Sequence, residues 1–541
     1  MSKSPALRRW LSVGGTVAVL ATVLAVLACQ KAVTDETAAQ AEQARADATR
    51  AWPLFGGSVS RNLVNLVEKN IPTDWDVTPG KQKNIKWVAN LGDRAYGGPV
   101  VAGGKILIGT NNHRPRNPAV IGDKGIVMCF RESDGTFLWQ AIHDKLEKGR
   151  VNDWPDEGIC SSPVVEGDRL YYVSNRCEVV CASTEGLAAG NKGVTDEKYK
   201  GKTDADIIWR LDMIGAFNVF PHNLATCSPL IVGDTLFVIT SNGVDKDHIT
   251  IPSPQAPSFL AIDKKTGKAL WKSNLPGDKI MHGQWSNPVY AEANGKAQII
   301  FPGGDGVLYS FNPKDGALLW KFDCNPKSAV YELGGKGTKS DFVSTPVVWE
   351  NKLYIGVGQD PEHRKGVGHL WCIDITKEPK NAAKDLSPVG DNFDPKAPAN
   401  KDSALVWHYG GPAGPDDDRP YRFCRTLSTC AVHDGLLYTA DYDGVFYCFD
   451  ARTGQKLWDH DMNADTWSSP YWVDGHIYMG NEKGTILVFK HGKEKQLVRE
   501  IDMLKGAKIK SGKVRATPVA VNGVLYVISE NPCRLWAITN K

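Results

Sequence analysis

The chain has 541 residues, 42% hydrophobic and 23% charged, with 64 basic against 61 acidic side chains and a net charge of +3. This is the composition of a globular protein, and without a basic block or a basic stripe interleaved with aromatics it argues against nucleic acid as a partner. So long a chain needs several domains or an internal repeat in which each unit packs only on its neighbours.

The first 29 residues read as a targeting segment. Lys3, Arg8 and Arg9 precede an apolar run from Leu11 to Ala28, and Val26 to Cys29 (V-L-A-C) has the form of a lipobox. On that reading Cys29 carries a lipid and anchors the body on the periplasmic side of a bacterial cell envelope. The alternatives are a simply cleaved signal peptide and an uncleaved N-terminal anchor, since ~18 apolar residues just span a bilayer. Gln30 stands where inner-membrane retention would call for aspartate, which favours the outer membrane. Residues 30–50 form a polar tether, and 51–84 an N-terminal extension.

From residue 85 the chain repeats. A Pro-aliphatic phrase begins at Pro99, Pro163, Pro229, Pro288, Pro346, Pro470 and Pro518, and Cys430 takes the proline position in one further copy, which makes eight units. Each unit supplies four short strands with Gly-rich turns, and most outer strands end near a tryptophan: Trp87, Trp139, Trp209, Trp271, Trp320, Trp407 and Trp458. The expectation is an all-β, eight-bladed propeller of four-stranded blades over residues 85–541. The last unit stops before a fourth strand, so Ile85 to Leu91, with Trp87, should pair into the last blade and close the ring. Blade seven alone lacks the tryptophan, with Val498 near its position.

The phrases D-G-V-F-Y-C-F-D-A-R-T-G-Q-K-L-W and D-G-V-L-Y-S-F-N-P-K-D-G-A-L-L-W resemble the repeat of pyrroloquinoline-quinone-type propellers. That superfamily includes BamB-like lipoproteins of outer-membrane assembly and the quinoprotein alcohol dehydrogenases. The resemblance implies a noncatalytic assembly platform that binds protein partners. Its alternative is an alcohol-dehydrogenase-like oxidoreductase dependent on pyrroloquinoline quinone and calcium. The chain has no adjacent Cys-Cys pair of the kind found in methanol-oxidising quinoproteins, and no C-x-x-C-H haem motif.

Cys129, Cys181, Cys372 and Cys448 share one third-strand position with Ala261, Ser310, Val488 and Ala537, so they read as small core residues. Cys177 and Cys181 are ~13 Å apart along a strand, too far for a disulfide. Cys424 and Cys430 could pair only if their segment turns back.

Insertions at 111–124, 143–159, 243–257, 325–341, 359–368, 409–426 and 503–514 enlarge one face of the ring, which marks it as the binding side. Tyr96, Cys160, Thr226, Trp285, Val343, Leu427, Trp467 and Arg515 should ring the channel mouth. Trp285, Trp467 and Arg515 could hold a flat anionic cofactor by stacking and charge, or merely plug the opening. Two loop motifs combine carboxylates with histidine as candidate metal ligands: Asp245, Asp247 and His248, and Asp360, Glu362 and His363. His222 and His282 stand among other polar residues of the same face. No nucleophile-base arrangement, phosphate-binding glycine loop or paired-carboxylate motif supports a hydrolase.

Overall fold

Period-two alternation of aliphatic and aromatic residues, broken by tight turns, folds into short antiparallel strands. A computed structural model of the chain describes residues 50–359, 361–415, 417–507 and 511–540. Residues 1–51 and 52–541 form separate units, and the second is the propeller. The expected signal segment and Cys29, and nearly all of the tether, lie outside the described residues. Among those described, no helix is long and apolar enough to cross a membrane.

Eight sheets of four blade strands form the ring. The closing strand falls where the repeat requires it. Ile85–Asn90 pairs antiparallel with Arg534–Ile538, Trp87 lying opposite Ala537. Hydrophobic clusters lie between neighbouring blades, and one of them joins blades six, seven, eight and one across the closure.

The shared third-strand position lies opposite tryptophan in seven blades, for example Cys129–Trp139, Cys448–Trp458 and Ala261–Trp271. A bulky indole on the outer strand leaves room only for a small partner. In blade seven the partner of Val488 is Arg499, not Val498, because a bulge shifts the register there as it does in every blade. All eleven described cysteines are free thiols, Cys424 and Cys430 included.

Five of the indoles, those of Trp87, Trp139, Trp209, Trp271 and Trp407, also clasp the next blade. Trp139 donates to the carbonyl of Thr184, Trp209 to Lys264, Trp271 to Pro313 and Trp407 to Ala451, at 2.9–3.1 Å. Each of these rings lies against a turn glycine of that next blade, such as Gly267 or Gly454, held at φ 71–73°. A side chain there would strike the ring as well as strain the backbone. Trp320 instead bonds Gln298 of its own blade, since residues 376–403 replace the turn it would meet. Blade seven faces blade eight, whose third and outer strands are joined by no turn because the outer strand comes from residue 85 onward. With no turn to clasp, the tryptophan is dispensable.

The N-terminal extension does what the repeat could not announce. Residues 52–65 run as a strap past the inner strands of all eight blades. Trp52 pairs with Val101, Pro53 accepts from Val165, Val59 from Tyr290, Ser60 from Val348 and Leu63 from Trp472. Asn62 exchanges two hydrogen bonds with Val432, and Asn65 donates to Ala520. The third and fourth blades are held by fully buried Arg61, whose guanidinium donates to the carbonyls of Phe55, Ser228, Pro229 and Pro288 at 2.8–3.1 Å. Val64–Asn65 even adds a parallel strand to blade seven.

Candidate functional site

The residues just before most inner strands are small and polar, and they knit neighbouring blades into a belt around the channel. Ser162 N–H donates to Ser228 Oγ at 2.9 Å, Asn287 Nδ2 to Thr345 Oγ1 at 2.7 Å, and Thr429 N–H to Ser469 Oγ at 2.9 Å. With the strap running along the inner strands, the channel becomes a cavity of ≈ 550 Å³, and strap residue Phe55 is part of its wall. All eight residues expected at the mouth line it, Trp285, Trp467 and Arg515 among them.

Arg515 is only 9% exposed in its side chain. It makes a two-pronged ion pair with Glu482 (2.8 and 3.0 Å) and donates to the Tyr96 hydroxyl at 2.6 Å. Its guanidinium stacks 5.0 Å from the ring of Tyr96 and 4.7 Å from that of Trp467. Burial pushes the Tyr96 hydroxyl well above its usual range. It also raises Glu530 to about 7 against the pull of Arg515. Beside Tyr96, Glu157 is ion-paired with Arg94. The cavity therefore offers aromatic faces and charges that are largely compensated from within.

Beside it, loops of blades three to five bring four histidines together. His222 and His282 are each 1% exposed, with ring centroids 4.4 Å apart. His248 lies 4.9 and 4.6 Å from them, and His363 lies 4.9 Å from His282. Ligand atoms of His222, His248, His282 and Glu362 all fall within 4.8 Å of one another. Trp285 ties this cluster to the mouth: its Nε1 donates to the His222 carbonyl at 3.2 Å, and the His282 ring packs edge-on at 5.1 Å. Glu362 also lines the cavity.

The two loop motifs thus contribute to one cluster, each only in part. Asp245 accepts from Ile249 N–H and Thr250 Oγ1 and closes its own turn. Asp247 is exposed and outside the group, because the loop reverses at His248 with φ 58°. Asp360 lies outside the described residues. His222 and His282, passed over as ligands in the sequence, stand seven and six residues before Pro229 and Pro288. Similar offsets, differing by one residue, in adjacent blades put them side by side, and that is the signal that could have found them.

A calcium-quinone centre needs an oxygen-rich ligand set. Among the described residues the one convergence of three or more His, Cys, Asp or Glu ligand atoms is rich in imidazole, a set that suits a zinc-like ion better than calcium.

The family model described as outer membrane protein assembly factor BamB matches residues 123–392 and 397–508. The chain is 26% identical over 249 residues to a polyvinylalcohol dehydrogenase of Sphingopyxis sp. (strain 113P3), an alignment covering 41% of the chain but only 33% of that enzyme. To the outer membrane protein assembly factor BamB of Yersinia pestis it is 22% identical over 393 residues, covering 72% of the chain and 80% of that protein. A quinohemoprotein alcohol dehydrogenase of Pseudomonas putida HK5 shares the fold at 12% identity and a TM-score of 0.54, with 91% of the chain and 80% of the enzyme covered. With more than half of its length matched, the chain belongs to the family described as outer membrane protein assembly factor BamB.

Proposed function

We propose that the protein is a noncatalytic, envelope-anchored propeller that serves as an interaction platform, holding a protein partner through the enlarged loops around its channel mouth. The observation that carries this reading is an apolar display on adjoining loops: Ile249 is 65% exposed, Val330 57% and Tyr331 38%. These loops meet where Gly334 lies against His248. Large apolar side chains grouped on one face of a soluble domain mark a docking surface. Family membership supports the same reading, as does a mouth whose charges already have partners. Lipidation at Cys29 would hold the platform at a membrane on the periplasmic side, with the outer membrane preferred.

Photo-crosslinking residues placed at Ile249 and Val330 in cells should give discrete protein adducts that a probe at outer-strand Leu270 does not. The pair Ile249→Asp and Val330→Asp should weaken the partner's hold without lowering thermal stability. Equal adducts from all three positions would count against the reading. Cys29→Ser should release the protein from membranes, and unchanged retention would contradict lipidation.

The ≈ 550 Å³ aromatic-walled cavity favours a second reading, an oxidoreductase using pyrroloquinoline quinone and calcium. Adding both should leave the absorbance and dye-linked alcohol oxidation unchanged. Stoichiometric uptake of the quinone, abolished by Trp285→Ala, would replace the platform with the enzyme.

A further inference from the structure

We infer that the imidazole cluster beside the channel mouth binds a divalent first-row transition metal ion of zinc-like preference, with His222, His248, His282 and Glu362 as its ligands. This goes beyond the platform reading and stands or falls independently of it.

Four observations converge. The ligand atoms lie within 4.8 Å of one another. Ligands of a tetrahedral zinc ion at 2.0–2.1 Å sit about 3.4 Å apart, so closure needs only small side-chain rotations. Next, the His222 ring is oriented from behind, its Nδ1 2.8 Å from the Val244 carbonyl. A carbonyl only accepts, so Nδ1 carries the proton and Nε2 is the basic nitrogen. Metal-binding histidines are commonly held by this arrangement. Third, the packing around the rings has been cleared. A Cβ on Gly243 would stand 2.6 Å from His222 Cβ, one on Gly334 2.6 Å from His248 Cβ, and one on Gly335 2.8 Å from His363 Nε2. Gly334 and Gly335 both have positive φ, 77° and 68°. The loops can approach this closely only without side chains there.

The last observation is the ligand chemistry. Three imidazoles and one carboxylate suit zinc, cobalt or nickel, whereas calcium and magnesium require oxygen. An ion here would tie loops of blades three, four and five together and, through Glu362, border the cavity.

The full-length protein, stripped with a chelator and then dialysed, should take up one equivalent of Zn(II) by calorimetry. Co(II) alone should give the visible absorption of a low-coordinate site. Zn(II) should raise the melting temperature, and Ca(II) at the same concentration should not. The double variant His248→Gln/Glu362→Gln changes the two more accessible ligands and should melt with the stripped wild type. It should bind Zn(II) more than about 100-fold more weakly, at least the effect of losing a supporting group. Glu362→Gln alone, on the solvent side, should weaken binding in the same direction and guards against misfolding of the double variant. Absence of stoichiometric Zn(II) binding would overturn the inference. So would binding of undiminished affinity in the double variant, which would move the ion to another pair such as His369 and His408, whose ring nitrogens are 2.8 Å apart.

Discussion

Burial sets what single charged residues do to this fold, and Glu530 is the clearest case. It is 3% exposed, and burial lifts its carboxyl from 4.5 to about 7. A folded-state value above the unfolded one means that the native state binds more protons between those limits. Stability from this group is therefore fully present below pH 4.5 and is lost as pH rises through 7. Glu530→Gln removes the titration and keeps an acceptor for the Ala95 N–H. The variant should match the wild type near pH 4.5 and be more stable at pH 8, by up to roughly 3 kcal/mol; denaturation midpoints at the two pH values check it. Arg61 lies at the other extreme. Its partners are carbonyls, so Arg61→Met strands four acceptors, three of them buried, and should cost about 3 kcal/mol at neutral pH in urea unfolding.

At the scale of the element, the unit of construction is the clasp between one blade's indole and the next blade's turn. Trp407 donates to Ala451 at 2.9 Å and covers Gly454, where a Cβ would stand 2.6 Å from the ring at φ 73°. Trp407→Ala should cost about 3–5 kcal/mol through the cavity it leaves. Trp407→Phe, which loses chiefly the hydrogen bond, should cost about 1–2 kcal/mol. Gly454→Ala suffers both clash and strain, but only the clash depends on the indole. Combined with Trp407→Ala it should therefore cost less than the sum of the two single changes, a coupling that a double-mutant cycle in thermal unfolding would read. Strict additivity would mean that ring and turn do not touch in solution. Blade seven supplies the internal control. Arg499 occupies the tryptophan position and pairs with Asp74 of the extension at 3.2 Å. Arg499→Trp should bring no stabilisation, because blade eight has no turn for it to cover.

At the scale of the whole molecule, what the sequence disclosed depended on periodicity. Blade count, the closing strand and the small position opposite tryptophan all recur at a fixed offset, so each could be read from local pattern. The strap could not, because its hydrogen bonds come mostly from backbone atoms of a segment that occurs once. The histidine cluster was half visible: the two loop motifs drew attention to His248 and Glu362, but their partners sit in loops of unlike length. These differences bear on how the ring is held shut. Two closures act in parallel, the strand Ile85–Asn90 in blade eight and the strap across all eight inner strands. Val88 and Glu500 occupy matched outer-strand positions, opposite Trp536 and Leu487. Proline at either site removes the same local hydrogen-bonding capacity, but only Val88→Pro loosens the closure. If strap and strand are redundant, Val88→Pro should cost little more than Glu500→Pro while Arg61 is intact. In the Arg61→Met background its cost should rise by more than about 1 kcal/mol, the scale of coupling between interacting sites. The freed edge of Arg534–Ile538 should then drive concentration-dependent association, visible in light scattering. Glu500→Pro should show neither effect in either background. Equal costs for the two prolines with and without Arg61 would mean that the core shared by blades six, seven, eight and one closes the ring unaided, leaving the strap to form the cavity wall.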